Sequence, residues 1–147
     1  MSIIFPEGDP IIRFAHSMRS RYAETDQMGY VYYGNYLQYF EVARTEMIRT
    51  IGLTYAELES KGVMLPVVHA AVDYKEPLLY DEPFVIHTYM FKEPSVKLDT
   101  WYKVTDPSGE KIKAIGHVIL VFMDAQTRRP VRAPRYFVDG LNNAPTL

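Results

Sequence analysis

The chain has 147 residues, 48% of them apolar and 23% charged; this fits one globular domain over 1–147 and excludes a disordered or fibrous chain. A net charge of −2 speaks against a nucleic-acid partner, which calls for a basic excess. Cysteine is absent, which excludes disulfides, thiol nucleophiles and thiolate-held metals, while 12 Tyr and 7 Phe must be buried in a core, a pocket or a subunit interface.

The opening MSIIFPEGDPIIRF lacks a basic stretch followed by a long apolar one. No segment approaches the roughly 18 apolar residues of a membrane span, so a cytoplasmic protein with no span is expected. Pro, Asn and Gly near the ends predict short tails at about 1–10 and 141–147. Between them, Ile11 to Ser20 predicts a first strand, with Ile12, Phe14 and His16 alternating against Arg13, Ala15 and Ser17. A polar, tyrosine-rich loop follows from Tyr22 to Gly34. From Asn35 to Ile51 the period lengthens: Tyr36, Phe40, Ala43, Met47 and Ile51 form one stripe, which predicts a long amphipathic helix ended by Gly52. Thr54 and Glu57 read as a capping box opening a short second helix that closes near Gly62.

The remainder is strand-like. Val63 to Lys75 is rich in β-branched residues, with Pro66 marking an edge or a bulge. Phe84 to Phe91 is apolar on both faces. Val96 to Thr105 alternates Val96, Leu98, Thr100, Tyr102 and Val104 against Lys97, Asp99, Trp101 and Lys103. Asp106-Pro107-Ser108-Gly109 predicts the turn that joins this strand to Lys111–Met123. One long helix against a run of antiparallel strands is an α+β two-layer design. Because one helix covers at most one sheet face, a homo-oligomer is expected; the alternative is that the termini cover the second face.

The segment from Tyr22 to Leu37 carries the candidate chemistry. It joins a strand to the start of the long helix, where backbone N–H groups lack internal acceptors and can hold a carbonyl oxygen as it becomes an oxyanion. Asp26, upstream on the same loop, offers a carboxylate that can attack an acyl carbon or take a proton from water. Gly29 permits a sharp turn. On composition alone, Asp26 reads equally as a turn or capping residue.

Thr25-Asp26-Gln27-Met28-Gly29-Tyr30-Val31-Tyr32-Tyr33-Gly34-Asn35-Tyr36-Leu37, followed by Phe40-Glu41-Val42-Ala43-Arg44, resembles the signature of the 4-hydroxybenzoyl-CoA thioesterase-like family. The nearest branch is that of the Tol–Pal-associated acyl-CoA thioesterases. Asp73-Tyr74-Lys75-Glu76-Pro77-Leu78 and Gly116-His117-Val118 resemble later family segments. The resemblance implies a hotdog fold, a curved antiparallel sheet wrapped around one long helix. It implies hydrolysis of acyl-CoA without a cofactor or metal. The family's catalytic aspartate falls on Asp26, and its carbonyl-polarising N–H on Tyr33 or a neighbour. Gly29 matches the glycine of the Asp-x-x-Gly step, and Asn35 and Tyr36 match the Asn-Tyr pair that follows. Tyr33-Gly34 stands where many members of the Tol–Pal branch carry a histidine. Homo-oligomers, as a dimer or a dimer of dimers (homotetramer), fit the resemblance.

Tyr30, Val31 and Tyr36 are candidate walls of an acyl slot, or else helix-on-sheet core. Arg128, Arg129 and Arg132 belong to an arginine-rich segment that suits the phosphates of coenzyme A; the other reading is a solvated loop. Glu41 and Arg44 are spaced to pair on the helix. His16, His69, His87 and His117 are scattered singly on strands without metal-ligand spacing. An acyl-carrier-protein thioesterase and a non-catalytic acyl-thioester-binding module are the alternatives to the acyl-CoA enzyme.

Overall fold

A computed structural model describes residues 2–144. Its elements in chain order are β1 (Ile12–Arg19), α1 (Asn35–Thr50), α2 (Tyr55–Ser60), β2 (Val63–Met64), β3 (Val67–Tyr74), β4 (Pro83–Met90), β5 (Lys97–Thr105), β6 (Ile112–Val121), β7 (Met123–Asp124) and α3 (Arg135–Asn142). A five-stranded sheet runs in the order β1-β4-β5-β6-β3, antiparallel throughout. The stubs β2 and β7 pair separately.

Helix α1 touches β4 and also β1 and β3, the two edges of that sheet. Laid flat, those edges would be about 19 Å apart, nearly twice the roughly 10 Å girth of a helix. The sheet must therefore bend around α1, and this is the hotdog arrangement. Alternation puts the right side chains inside: Leu98, Thr100, Tyr102 and Val104 of β5 are all buried, as are Phe40, Ala43, Met47 and Ile48 of α1. Each large apolar side chain so placed contributes roughly 1.5–3 kcal/mol. At the centre Phe40 stacks on Tyr102, with ring centroids 4.4 Å apart. Gly116 of β6 makes room for that stack, because a Cβ there would lie 2.3 Å from the Phe40 ring.

The punctuation matches the expected chemistry. Gly52 and Gly109 adopt the left-handed φ of +86° and +82° that glycine alone accepts without strain. The Gly109 N–H donates to the Asp106 carbonyl at 3.0 Å, closing the β5–β6 turn. Thr54 Oγ1 accepts from Glu57 N at 3.1 Å, half of the expected capping box.

Three expectations need correction. Val63 to Lys75 is not one strand. Pro66 has no N–H to donate, so the chain breaks there into β2 and β3, with a register shift between Val67 and His69. The C-terminal tail expected at 141–147 begins inside α3, where Phe137, Val138 and Leu141 are buried and Phe137 meets Phe122; residues 145–147 lie outside the described ones. The N-terminal tail is also engaged. Phe5 packs edge-on against Tyr89, Phe91 and Trp101, with centroids 5.3–5.7 Å away. The chain itself thus covers part of the second sheet face. Among the described residues no helix is long and apolar enough to cross a membrane.

Candidate active site

Between β1 and α1 the backbone folds on itself. The Asp26 N–H donates to Tyr30 O at 2.7 Å, and the Gly29 N–H to Asp26 O at 3.1 Å. Gly29 makes that turn at φ +79°. Val31 N reaches Leu78 O at 2.8 Å and Tyr80 N reaches Gly29 O at 3.1 Å, stitching the loop to the segment after β3. The Asp26 carboxylate takes part through one oxygen only: Oδ1 accepts from Met28 N at 2.9 Å and Tyr30 N at 3.2 Å. Among the described residues no protein donor lies on Oδ2.

Asp26 lines a cavity of about 400 Å³ with Tyr30, Val31, Tyr33, Tyr36 and, on the opposite wall, Tyr74 to Pro77. Tyr36 and Val31 are buried, whereas Tyr33 is 62% exposed at the rim. The Tyr74 hydroxyl donates to the Tyr33 carbonyl at 2.9 Å, fixing the backbone just ahead of α1. Burial holds the hydroxyls of Tyr36 and Tyr74 above the ordinary phenol range, so both stay protonated. Helix α1 has no side-chain cap. Its entering N–H groups of Asn35 and Tyr36 bond back to Tyr32 and Tyr33 carbonyls, and among the described residues those of Tyr33 and Gly34 have no backbone acceptor. A free carboxylate oxygen of Asp26 and a free N–H of Tyr33, two residues that line an aromatic-walled cavity, with the free N–H of Gly34 next in the chain, are the equipment needed to polarise a carbonyl and deliver a base to it.

The comparisons bear on what that equipment is for. Residues 20–141 match the family model described as the thioesterase-like superfamily. The chain belongs to that superfamily. A Bacillus subtilis relative, named "Putative acyl-CoA thioesterase YneP", is 42% identical over 81% of this chain and 86% of its own length. The acyl-CoA thioester hydrolase YbgC of Escherichia coli O6:H1 is 26% identical over 85% of this chain and 92% of its own. Among solved structures, the DHNA-CoA thioesterase of Staphylococcus aureus superposes with a TM-score of 0.79 at 35% identity, covering 87% of this chain and 85% of that one.

Not every expected residue of this thioesterase-like chain meets at the cavity. Gly29 shapes the turn without lining it. Arg128, Arg129 and Arg132 are exposed, around and beyond a turn in which Arg128 takes a φ of +60°, and none of them lines the Asp26 cavity. The expected Glu41–Arg44 pair does not form. Arg44 is 5% exposed and donates from Nε to the Tyr55 hydroxyl at 2.8 Å and from Nη1 to the Tyr102 hydroxyl at 3.0 Å. None of the four histidines lines the cavity; His117 Nε2 instead meets Asp99 Oδ1 at 2.5 Å on the other face of the sheet, stacked on Trp101.

The residue that sequence reading missed is Glu24. Its buried carboxylate accepts from the Arg21 N–H at 2.8 Å and from the Tyr39 hydroxyl at 2.9 Å. Its carbonyl accepts from Asn35 Nδ2 and Tyr32 N, both at 2.8 Å. Glu24 therefore ties the start of α1 to the Asp26 loop. Burial pushes its carboxyl up, but the bonds from Arg21 and Tyr39 outweigh that and hold it below the ordinary value. Burial, and after it the same contact, raises the Tyr39 hydroxyl. Asn35, the first residue of the motif's Asn-Tyr pair, was the visible part of this clasp.

Proposed function

We propose that the chain is an acyl-CoA thioesterase in which Asp26 supplies the carboxylate and the N–H groups of Tyr33 and Gly34 polarise the thioester carbonyl. The observation that carries this reading is the half-committed carboxylate: Oδ1 is anchored by two main-chain donors while Oδ2 is left for chemistry beside the cavity. Oδ2 either attacks the carbonyl carbon or takes a proton from the water that does. In both cases the C–S bond breaks, the thiolate of coenzyme A leaves, and water supplies the oxygen of the free acid. Thiolate is a good leaving group, so one base and a polarised carbonyl suffice. Tyr30, Val31 and Tyr36 form the acyl slot. The exposed cations Arg128, Arg129 and Arg132 are offered to the phosphates of coenzyme A. The names of YneP, YbgC and the DHNA-CoA thioesterase support this substrate class.

A homo-oligomer belongs to the same proposal. Strand β3 leaves one sheet edge unpaired among the described residues, with Val67 and Val68 about half exposed, and a second copy would cover it, as a dimer or a dimer of dimers. A monomer in size-exclusion chromatography with light scattering would reject this part.

Hydrolysis of short, long and aromatic acyl-CoAs, monitored by thiol release, tests the activity. Asp26→Asn is expected to fold as the parent does and to lose roughly 100- to 10,000-fold in kcat/KM. Near-normal turnover by that variant would reject Asp26 as the catalytic residue. Acyl-CoA bound but uncleaved, by parent and variant alike, would make the protein a binding module. A higher kcat/KM on the matching acyl-carrier-protein thioester would reassign the carrier.

A further inference from the structure

A second cavity, of about 460 Å³, lies further along α1. Arg44 lines it with Tyr55; Leu58, Val63 and Leu65 give it apolar walls. Among the described residues no carboxylate lies within 4.0 Å of the Arg44 guanidinium. Its two hydrogen bonds go to tyrosine hydroxyls and leave most of its N–H groups without an acceptor. Among the described residues, the sealed side-chain polar atoms without a partner are His87 Nδ1, Thr88 Oγ1 and Tyr136 OH. Arg44 Nη2, which has no hydrogen-bond partner, is not one of them, so it is unsealed and is free to face the cavity that Arg44 lines.

A buried cation without a counter-charge is costly, and a folded chain retains one where something completes it. The Tyr55 and Tyr102 hydroxyls aim the guanidinium, and Tyr102 is held in turn by donating to Thr100 Oγ1 at 2.8 Å. The fork is thus fixed before any ligand arrives, and a guanidinium fork matches a carboxylate in shape and charge. We propose that this cavity is a binding site for a small apolar carboxylate, its anionic end on Arg44 and its hydrocarbon body against Leu58, Val63 and Leu65. The site is separate from the Asp26 cavity and does not depend on the reading of that cavity. Glu41 and Glu59, both exposed, also line the second cavity. They oppose a second anionic group at the mouth, so monocarboxylates are favoured over dicarboxylates.

Benzoate and benzamide, which share a shape and differ in charge, serve as probes by NMR titration of the full chain. Benzoate is expected to bind roughly tenfold or more tighter, the scale of a charge-assisted hydrogen bond, shifting the methyl signals of Leu58, Val63 and Leu65. Equal binding of the two, no binding, or shifts only elsewhere would overturn the proposal. In Arg44→Gln the preference for benzoate is expected to vanish; its survival would overturn the site. If that variant does not fold, Glu59→Gln, an exposed change, decides: tighter benzoate binding supports the site, and unchanged or weaker binding overturns it.

Discussion

The N-terminal end and the middle of α1 meet their surroundings on different principles. At the N-terminal end the Asp26 loop is held by main-chain hydrogen bonds, and its tyrosines Tyr30, Tyr32 and Tyr33 are substantially exposed. At the middle the helix is held by side-chain packing, with Phe40 and Tyr102 stacked and Gly116 reduced to hydrogen so that they fit. At the Asp26 loop the backbone secures itself and a cavity remains beside it. At the Phe40–Tyr102 stack side chains do the securing and fill the space.

Gly116→Ala presses hardest on the packed middle. The new methyl would overlap a ring that is fully buried and already stacked, so a loss of about 1–3 kcal/mol is expected in urea unfolding, with the Asp26 loop unchanged in its amide NMR signals. A stability within error of the parent would show that the centre is looser than the contacts imply. Glu24→Gln addresses the N-terminal end. It keeps the shape and removes the charge that Arg21 and Tyr39 address, at a cost on the order of 1 kcal/mol. More tellingly, it is expected to lower kcat/KM by loosening the link between α1 and the loop. Because the folded carboxyl lies below its ordinary value of 4.5, its contribution is present above that pH and fades as pH falls through the folded value. The parent should therefore lose more stability than the variant on going below pH 4.5.

The smallest expected effect lies on the outer sheet face and separates both regions from the rest. Thr105 Oγ1 donates to the Asp106 carbonyl, so it accepts from His87 Nε2, leaving Nδ1 sealed and without a proton. Burial, with Arg13 and Lys103 nearby, holds His87 below its ordinary value of 6.5. The unfolded chain binds that proton first, so stability is full above pH 6.5 and declines as pH falls below it. Melting temperatures at pH 7.5 and 5.5 should differ less in His87→Gln than in the parent; an equal difference would acquit His87.

What the amino acids disclosed follows from the same contrast. The stripe from Tyr36 to Met47 and the alternation in 96–105 are periodic, and packing honours periodicity. Asp26 and Gly29 were visible because a turn and a chemical group coincide there. Glu24 was not, because an acidic residue in a polar loop looks solvated until Tyr39, fifteen residues on, is brought beside it. Arg44 misled for the opposite reason: its spacing from Glu41 suggested a surface pair, whereas its position on the buried stripe next to Ala43 foretold burial. Helix α3 went unread because Pro134 and Gly140 flank and interrupt a stretch of only 8 residues.

The Asp26–Gly29 turn has a lasting implication for the lineage. Its frame is spelled in amide hydrogens and carbonyls, which every residue but proline possesses. Gln27, Met28 and Tyr30 can therefore be exchanged over generations without unmaking the curve that carries the carboxylate. If Asp26 is the base proposed above, such a scaffold would let preference for one acyl group drift into preference for another while the chemical step stays where it was.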